Sequence, residues 1–187
     1  MHCFDLNRIA ESPWKNGGGS TREIACWPPG AGMDAFDWRI SVATIAQDGP
    51  FSAFPGVDRQ IMLLCGDGVH LQGEGVDHRL EQRWQPFAFA GDVALNGLLL
   101  GGRSCDLNVM TRRGQCRAQV QVLAQPAEAG ASPAGLCMVL QGRWLSDTLT
   151  LGPGQGLWWS RAEWPVQALR PHDGDARLVQ VLLQPAA

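Results

Sequence analysis

The sequence predicts an all-β protein made of two β-sandwich halves. Two features of the chain predict this class. Glycine and proline (23 and 12 residues) are scattered along the whole chain and cut it into short segments. Many of these segments alternate apolar and polar residues, as half-buried strands do, and no window of a dozen residues carries a helical stripe. A third feature, an internal repeat, indicates that the strands form two similar halves.

Eleven segments are predicted as strands because they are rich in β-branched, aromatic and leucine residues and are bounded by turn residues. A short helix is expected within Phe4–Ser12 or near Arg161–Trp164. The predicted strands are Thr21–Trp27, Trp38–Ile45, Gln60–Leu64, Val69–Gln72, Phe87–Ala90, Asp106–Thr111, Arg117–Ala124, Leu136–Leu140, Asp147–Leu151, Gly156–Trp159 and Arg177–Leu183.

The internal repeat relates residues 61–68 to 137–144, and residues 87–95 to 149–157. In each copy an apolar strand runs into a glycine turn, and a second strand and turn follow. This order is typical of a cupin half, so the chain is predicted to be a double cupin, or bicupin. Residues 125–135 are small and poor in large apolar side chains, which predicts a linker between an N-terminal half (1–124) and a C-terminal half (136–187).

Composition narrows the range of functions. The net charge of the 187 residues is -3, Lys15 is the only lysine, and no basic run exists, so nucleic acid is not an expected partner. No stretch approaches 18 apolar residues, which argues against a membrane span. The first residues lack the pattern of a signal peptide, and the six cysteines are widely spaced. Reduced thiols and a cytoplasmic location are therefore expected.

A metal or other cofactor is not expected. Many cupins hold a metal with two histidines that alternate on one strand, and none of the four histidines here alternate. His70 and His78 could meet across a hairpin, but no third ligand is evident. The sequence also lacks G-x-S-x-G, and nothing selects one Cys–His pair as a nucleophile and base.

The densest polar segment is Trp-Lys-Asn-Gly-Gly-Gly-Ser-Thr-Arg-Glu at 14–23. Its backbone N–H groups and the cations Lys15 and Arg22 suit an anion, although a flexible surface turn explains the same residues. Further polar groups alternate with apolar ones on predicted strands: Arg39 with Ser41, and Asp106 with Asn108. Alternation puts each pair on one face, but it does not say whether that face lines a cavity or meets solvent.

Long motifs of the chain resemble the HutD/Ves family. They are Trp-Lys-Asn-Gly-Gly-Gly-Ser-Thr-Arg-Glu-Ile at 14–24, Phe-Asp-Trp-Arg-Ile-Ser-Val-Ala at 36–43, and Gly-Pro-Phe-Ser at 49–52. Phe-Pro-Gly-Val-Asp-Arg at 54–59 and Asp-Leu-Asn-Val-Met-Thr-Arg at 106–112 continue the match, which covers residues 4–114. The resemblance implies a bicupin without the metal-binding histidines. It also implies an association with histidine utilisation and binding of an intermediate such as formylglutamate, as a brake on the pathway.

Polar residues inside these motifs are the candidate ligand-binding site. Asp106 and Arg112 are expected to be their neighbours. The candidates are Lys15, Asn16, Thr21, Arg22, Arg39, Ser41, Arg59 and Asn108.

Three functions remain open. The first is a metal-free bicupin that binds a small anionic metabolite and has a regulatory role. The second is a metal-free cupin enzyme, an isomerase or hydrolase acting on a small acid, with Glu23, Asp58, His70 or Asp106 as general base. The third is a protein-interaction module that uses an edge strand or a tryptophan patch. Since cupins often pair their sheets, a homodimer is also an open expectation.

Overall fold

A computed structural model describes residues 1–160 and 165–186. The chain forms two compact units, one of Ala10–Arg117 with Ala186 and one of Met1–Ile9 with Ala118–Pro185. In the described part of the chain, the single helical element is a 3-10 turn at Leu6–Arg8. It falls within the first segment where a helix was expected, whereas Arg161–Trp164 lies outside the described residues. The predicted all-β class is confirmed.

The described residues form nineteen strands, which are numbered here in chain order. They are β1 (His2–Asp5), β2 (Ser12–Pro13), β3 (Gly19–Trp27), β4 (Trp38–Ile45), β5 (Gly49–Phe51), β6 (Val57–Cys65), β7 (Val69–Gly73), β8 (Val76–Leu80), β9 (Pro86–Ala90), β10 (Leu95–Leu99), β11 (Ser104–Arg112), β12 (Cys116–Leu123), β13 (Ala127–Ala129), β14 (Ala134–Gln141), β15 (Trp144–Leu145), β16 (Thr150–Leu151), β17 (Gln155–Ser160), β18 (Gln167–Pro171) and β19 (Arg177–Pro185).

The unit of Ala10–Arg117 contains two antiparallel sheets. One has six strands in the order β2-β3-β4-β11-β6-β9, and the other has four in the order β5-β10-β7-β8. Residues from both sheets form one apolar cluster, with Ile45, Ile61 and Leu63 from the first and Leu71 and Leu95 from the second. Burial of this cluster joins the two sheets into a sandwich, because each sheet has an apolar face to cover.

The unit of Met1–Ile9 and Ala118–Pro185 repeats the plan. A five-stranded sheet has the order β1-β17-β14-β19-β12, and a four-stranded sheet has the order β13-β18-β15-β16. Its core holds Trp144 and Trp159, both fully buried, together with Cys137 and Val139 of β14. The indole N–H of Trp159 donates to the Ser132 carbonyl at 2.8 Å, so this large side chain is buried with its polar atom satisfied.

All eleven predicted strands overlap strands of the structure, and Trp38–Ile45 has the predicted bounds. The predicted strand Asp147–Leu151 is reduced to β16. Eight strands were not predicted: β1, β2, β5, β8, β10, β13, β15 and β18. Residues 125–135, predicted as a linker, contain β13 and the beginning of β14.

Candidate functional site

A cavity of about 540 Å³ lies within the unit of Ala10–Arg117. Its volume is in the range of pockets that hold small molecules. The structure brings seven of the eight candidate residues to its wall, and Arg22 is the exception. The seven are Lys15, Asn16, Thr21, Arg39, Ser41, Arg59 and Asn108.

Strand register places the five of these residues that lie on strands on one face of the six-stranded sheet, and Lys15 and Asn16 lie on the loop before β3. Asn108 on β11 lies opposite Ser41 on β4, and Met110 lies opposite both Arg39 on β4 and Arg59 on β6. Cross-strand partners point to the same side of a sheet, so these side chains share one face. Further along the same face the residues become apolar and join the core, which closes the cavity at one end.

Arg59 is the deepest cation of the cavity, with 6% of its surface exposed. Its Nε and Nη2 donate to the Asn108 Oδ1 at 3.3 and 3.1 Å, and its Nη1 donates to the Ser52 carbonyl at 3.4 Å. The guanidinium also lies 5.1 Å from the centre of the Phe89 ring and 5.5 Å from that of Phe54. Burial lowers the pKa of Arg59 to about 10, which leaves it charged at neutral pH.

Arg39 stands between a carboxylate and a hydroxyl. Its Nε donates to the Glu23 Oε2 at 2.6 Å, and its Nη1 donates to the Ser41 Oγ at 3.3 Å. Glu23 pairs in register with Ser41, so the ion pair lies on the cavity face of the sheet. The Arg39 side chain is mostly buried and Glu23 is half exposed, which holds the guanidinium in a fixed position against the wall.

The glycine-rich loop between β2 and β3 is a hydrogen-bonded turn. The Gly17 N–H donates to the Trp14 carbonyl at 3.0 Å, and the Gly18 N–H donates to the Asn16 Oδ1 at 3.0 Å. These two N–H groups are therefore not available to an anion. The loop instead presents side chains: the amide NH₂ of Asn16 and the ammonium of Lys15, which has no partner among the described residues.

Asp106 also lines the cavity, next to the predicted residues. Its side chain is buried, and its Oδ2 has no hydrogen-bond partner in the described part of the chain. Burial raises the pKa of this carboxyl group to about 7, and the nearby charge of Arg59 opposes the rise. Among the described residues that line the cavity, Asp106 is the only acidic one.

Arg22 lies away from the cavity because β3 alternates. Thr21 faces the cavity and accepts a hydrogen bond from the Trp14 indole N–H at 2.8 Å, so its neighbour Arg22 faces the other side. There Arg22 forms an ion pair with the Glu11 carboxylate at 2.5 Å. The alternation of the strand was the signal in the sequence that separates these two residues.

The rim of the cavity includes residues that the sequence did not indicate, among them Met33, Phe51, Ser52 and Phe54. They lie at or near loops, where no periodicity predicts direction. Arg112 joins two of these loops, because its guanidinium donates to the backbone carbonyls of Asp34 (2.8 Å), Phe36 (3.4 Å) and Pro55 (3.4 Å). Arg112 thus shapes the rim through these loops, and it does not line the cavity.

The histidines lie outside the cavity wall. The His2 ring stacks on Trp158 and the His78 ring on Phe87, with ring centres 4.1 and 3.7 Å apart. His70 pairs with Asp77 at 2.5 Å on the β7–β8 hairpin. In residues 1–160 and 165–186, no three His, Cys, Asp or Glu side chains are grouped as metal ligands. No helix of these residues is long and apolar enough to cross a membrane.

In one unit two antiparallel sheets enclose a cavity that has polar side chains on its wall. The other unit is a second sandwich of the same plan, and together these features define a cupin-fold protein. The family model described as HutD matches residues 6–177. The chain therefore belongs to the HutD family, which confirms the resemblance drawn from the motifs.

Curated relatives named Protein Ves agree with this membership. The protein of Cronobacter sakazakii is 40% identical over 171 residues, which are 91% of this chain and 93% of that protein. The protein of Citrobacter koseri is 41% identical over 172 residues, which are 91% of this chain and 89% of that protein.

Solved structures agree as well. HutD from Pseudomonas fluorescens SBW25 has a TM-score of 0.85 at 26% identity and is aligned over 100% of this chain and 99% of its own. A cupin 2 conserved barrel domain protein from Leptotrichia buccalis has a TM-score of 0.62 at 10% identity, covering 98% of this chain and 96% of its own, and shares the fold. The predicted double-cupin class is confirmed.

Proposed function

We propose that the cavity binds a small anionic metabolite and that the protein acts as a binder or regulator, without a metal. The observation that carries the proposal is that the polar atoms of the wall without a partner inside the protein are mostly hydrogen-bond donors. The oxygens of Asn16 and Asn108 already accept bonds from Gly18 and Arg59, so each amide keeps its NH₂ for a ligand. A cavity lined by free donors suits a molecule that is rich in acceptors.

The hydroxyl groups add to this surplus of donors. The Thr21 Oγ1 accepts from the Trp14 indole, and the Ser41 Oγ accepts from Arg39. Each hydroxyl therefore keeps its hydrogen for a ligand. Together with the ammonium of Lys15 and two guanidinium groups, these donors favour one or more carboxylates over a neutral or cationic compound.

Formylglutamate fits this description. It carries two carboxylates and a formyl oxygen, all of which are acceptors. We propose a formylglutamate-like compound as the ligand and a regulatory role in histidine utilisation. The support is the donor-rich wall of the cavity and the membership of the HutD family.

Thermal-shift and calorimetric titrations test the proposal, with N-formyl-L-glutamate, L-glutamate and glutarate as probes and the dimethyl ester of N-formylglutamate as an uncharged control. A ligand at about 100 times its Kd stabilises the native state by about 2.7 kcal/mol, which is a clear thermal shift. The acids are expected to bind and the ester is not. The same titrations with a chelator present check that no metal is needed.

Variants locate the binding. Lys15→Gln removes an exposed ammonium at the cavity and should weaken binding at least about tenfold, since a hydrogen bond to a charged group contributes about 1.5–3 kcal/mol. Arg83→Gln removes one charge from an exposed residue outside the cavity and is the matched control. Arg22→Ala should also bind normally. Loss of binding in Arg22→Ala with normal binding in Lys15→Gln would place the ligand elsewhere and refute the proposal.

A second candidate function is a metal-free cupin enzyme, an isomerase or hydrolase, with Asp106 as general base. A buried carboxyl with a pKa of about 7 on a cavity wall is the observation that favours it. Against it, no histidine lines the cavity among the described residues, so a second acid–base partner of that kind is missing. Proton NMR of each acid incubated with the protein in D₂O distinguishes the two, because an enzyme would exchange carbon-bound hydrogen or form product.

A further inference from the structure

Asp106 differs from the other polar residues of the cavity wall in its hydrogen-bonding character. The amides, hydroxyls and cations around it present donors, whereas an ionised Asp106 would present an acceptor. Its Oδ2 is buried and receives no hydrogen bond from any described residue. An anionic ligand in this cavity would meet a second negative charge at Asp106, which the wall leaves without a donor.

The groups that face Asp106 do not compensate its charge by direct bonds. On β4 its cross-strand partner is Ala43, and on β6 it is Leu63, both apolar. Arg59 on β6 is the charged group that acts on it, and the Arg59 hydrogen bonds go to Asn108 and Ser52. Arg39 on β4 is paired with Glu23 on β3, and Lys15 lies on the exposed loop.

We propose that Asp106 is protonated in the ligand complex and donates its hydrogen to a carboxylate oxygen of the bound metabolite, so that binding takes up a proton. The inference rests on the proposed binding of an anion in this cavity. A protonated Asp106 turns the one carboxyl group among the described wall residues into a donor, as the ligand requires. Two carboxyl groups in contact in a buried place hold one proton between them, because both cannot be ionised at a short distance.

The pH dependence of binding follows from this proton. In the free protein burial already raises the pKa of Asp106 to about 7, and a bound carboxylate raises it further. Ligand affinity should be nearly constant below about pH 7 and should fall up to about tenfold for each pH unit above it. About half a proton should be taken up per ligand at pH 7 and close to one at pH 8.

Two measurements test the inference together. Calorimetry with N-formyl-L-glutamate and with glutarate, at pH 6, 7 and 8 in two buffers of different ionisation enthalpy, gives the proton uptake. Carboxyl ¹³C NMR of Asp106 gives its titration midpoint in the free protein and with formate, glutarate or N-formyl-L-glutamate. We expect uptake in the calorimeter and an upward displacement of the midpoint by about two pH units or more.

Asp106→Asn is the matched variant, because the amide keeps the shape of the side chain and donates hydrogen bonds but cannot titrate. It should bind glutarate with an affinity that does not change between pH 6 and 8 and with no proton uptake. Circular dichroism and thermal melting check that it folds. Proton uptake that persists in Asp106→Asn would overturn the inference.

The NMR result separates this inference from the proposed function. Binding of an acid with an unchanged or lowered Asp106 midpoint refutes the proton-sharing role and leaves the binding function standing. A lowered midpoint with N-formyl-L-glutamate alone would mean that an ionised Asp106 accepts the ligand N–H. If no probe binds and none moves the midpoint, both the proposed function and the inference are wrong.

Discussion

Replacement of Asp106 by asparagine should stabilise the free protein at neutral and alkaline pH. The pKa of Asp106 rises from its ordinary value of 3.8 to about 7 because the carboxyl is buried. The folded state therefore holds a proton that the unfolded chain has lost between about pH 4 and 7. Between about pH 4 and 7 the free energy of unfolding therefore falls as pH rises. Above about pH 7 the folded protein bears the full cost of burying the ionised carboxylate of Asp106.

The size of this stabilisation follows from the rise in the pKa of Asp106. The rise is about three pH units, and each unit corresponds to about 1.4 kcal/mol, so ionised Asp106 costs the folded state up to about 4 kcal/mol. Asparagine avoids this cost, although its own amide must find partners on the wall. The difference in unfolding free energy between Asp106→Asn and the parent should grow by about 3 kcal/mol between pH 5 and 8.

Urea denaturation of both proteins at pH 5, 6, 7 and 8 measures this difference. Groups other than Asp106 titrate in both proteins and cancel in the comparison. Asp34→Asn is the control, because Asp34 is exposed and its carboxylate has no partner among the described residues. A difference that stays constant between pH 5 and 8 would refute the raised pKa of Asp106, whereas an unpaired amide in the variant would shift the difference equally at every pH.

Three further changes test other parts of the structure. Gly19→Ala should lower the free energy of unfolding, measured in urea, by about 1–3 kcal/mol, because the new Cβ would lie 2.2 Å from the Thr44 carbonyl oxygen. Gly49→Ala is the control and should have a small effect, because its Cβ would meet open space. Arg112→Lys should lower the free energy of unfolding by about 1–2 kcal/mol, because an ammonium cannot reach all three carbonyls through which Arg112 joins the rim loops. Limited proteolysis should also cut these loops faster in the variant. Cys137 should resist thiol reagents until the protein unfolds, because complete burial raises its pKa to about 12, and mass spectrometry of native and denatured samples checks this.

The sequence predicted the strand faces well and the loops poorly. Alternation placed Arg39 with Ser41, and Asp106 with Asn108, on common faces, and the register confirms both pairs. It did not say which face is enclosed, because that depends on the second sheet. The same alternation separates Thr21 from Arg22, but both were named because they belong to one motif.

The short strands were missed for a different reason. The strand Val76–Leu80 carries Asp77, His78 and Arg79, and its own composition does not favour a strand. It exists because its backbone pairs with β7 across a tight turn. Rim residues such as Phe51 and Met33 were missed similarly, since their direction depends on loop contacts far apart in the sequence, including those of Arg112.

The position of Lys15 has a practical consequence. It is the only lysine of the sequence, it is exposed, and it stands at the wall of the cavity. Apart from the α-amino group, an amine-reactive reagent therefore has one target in the native protein. A fluorophore or an isotope-coded acyl group attached there reports on the cavity alone, and protection of Lys15 from acylation gives a binding assay for unlabelled ligands without any engineered residue.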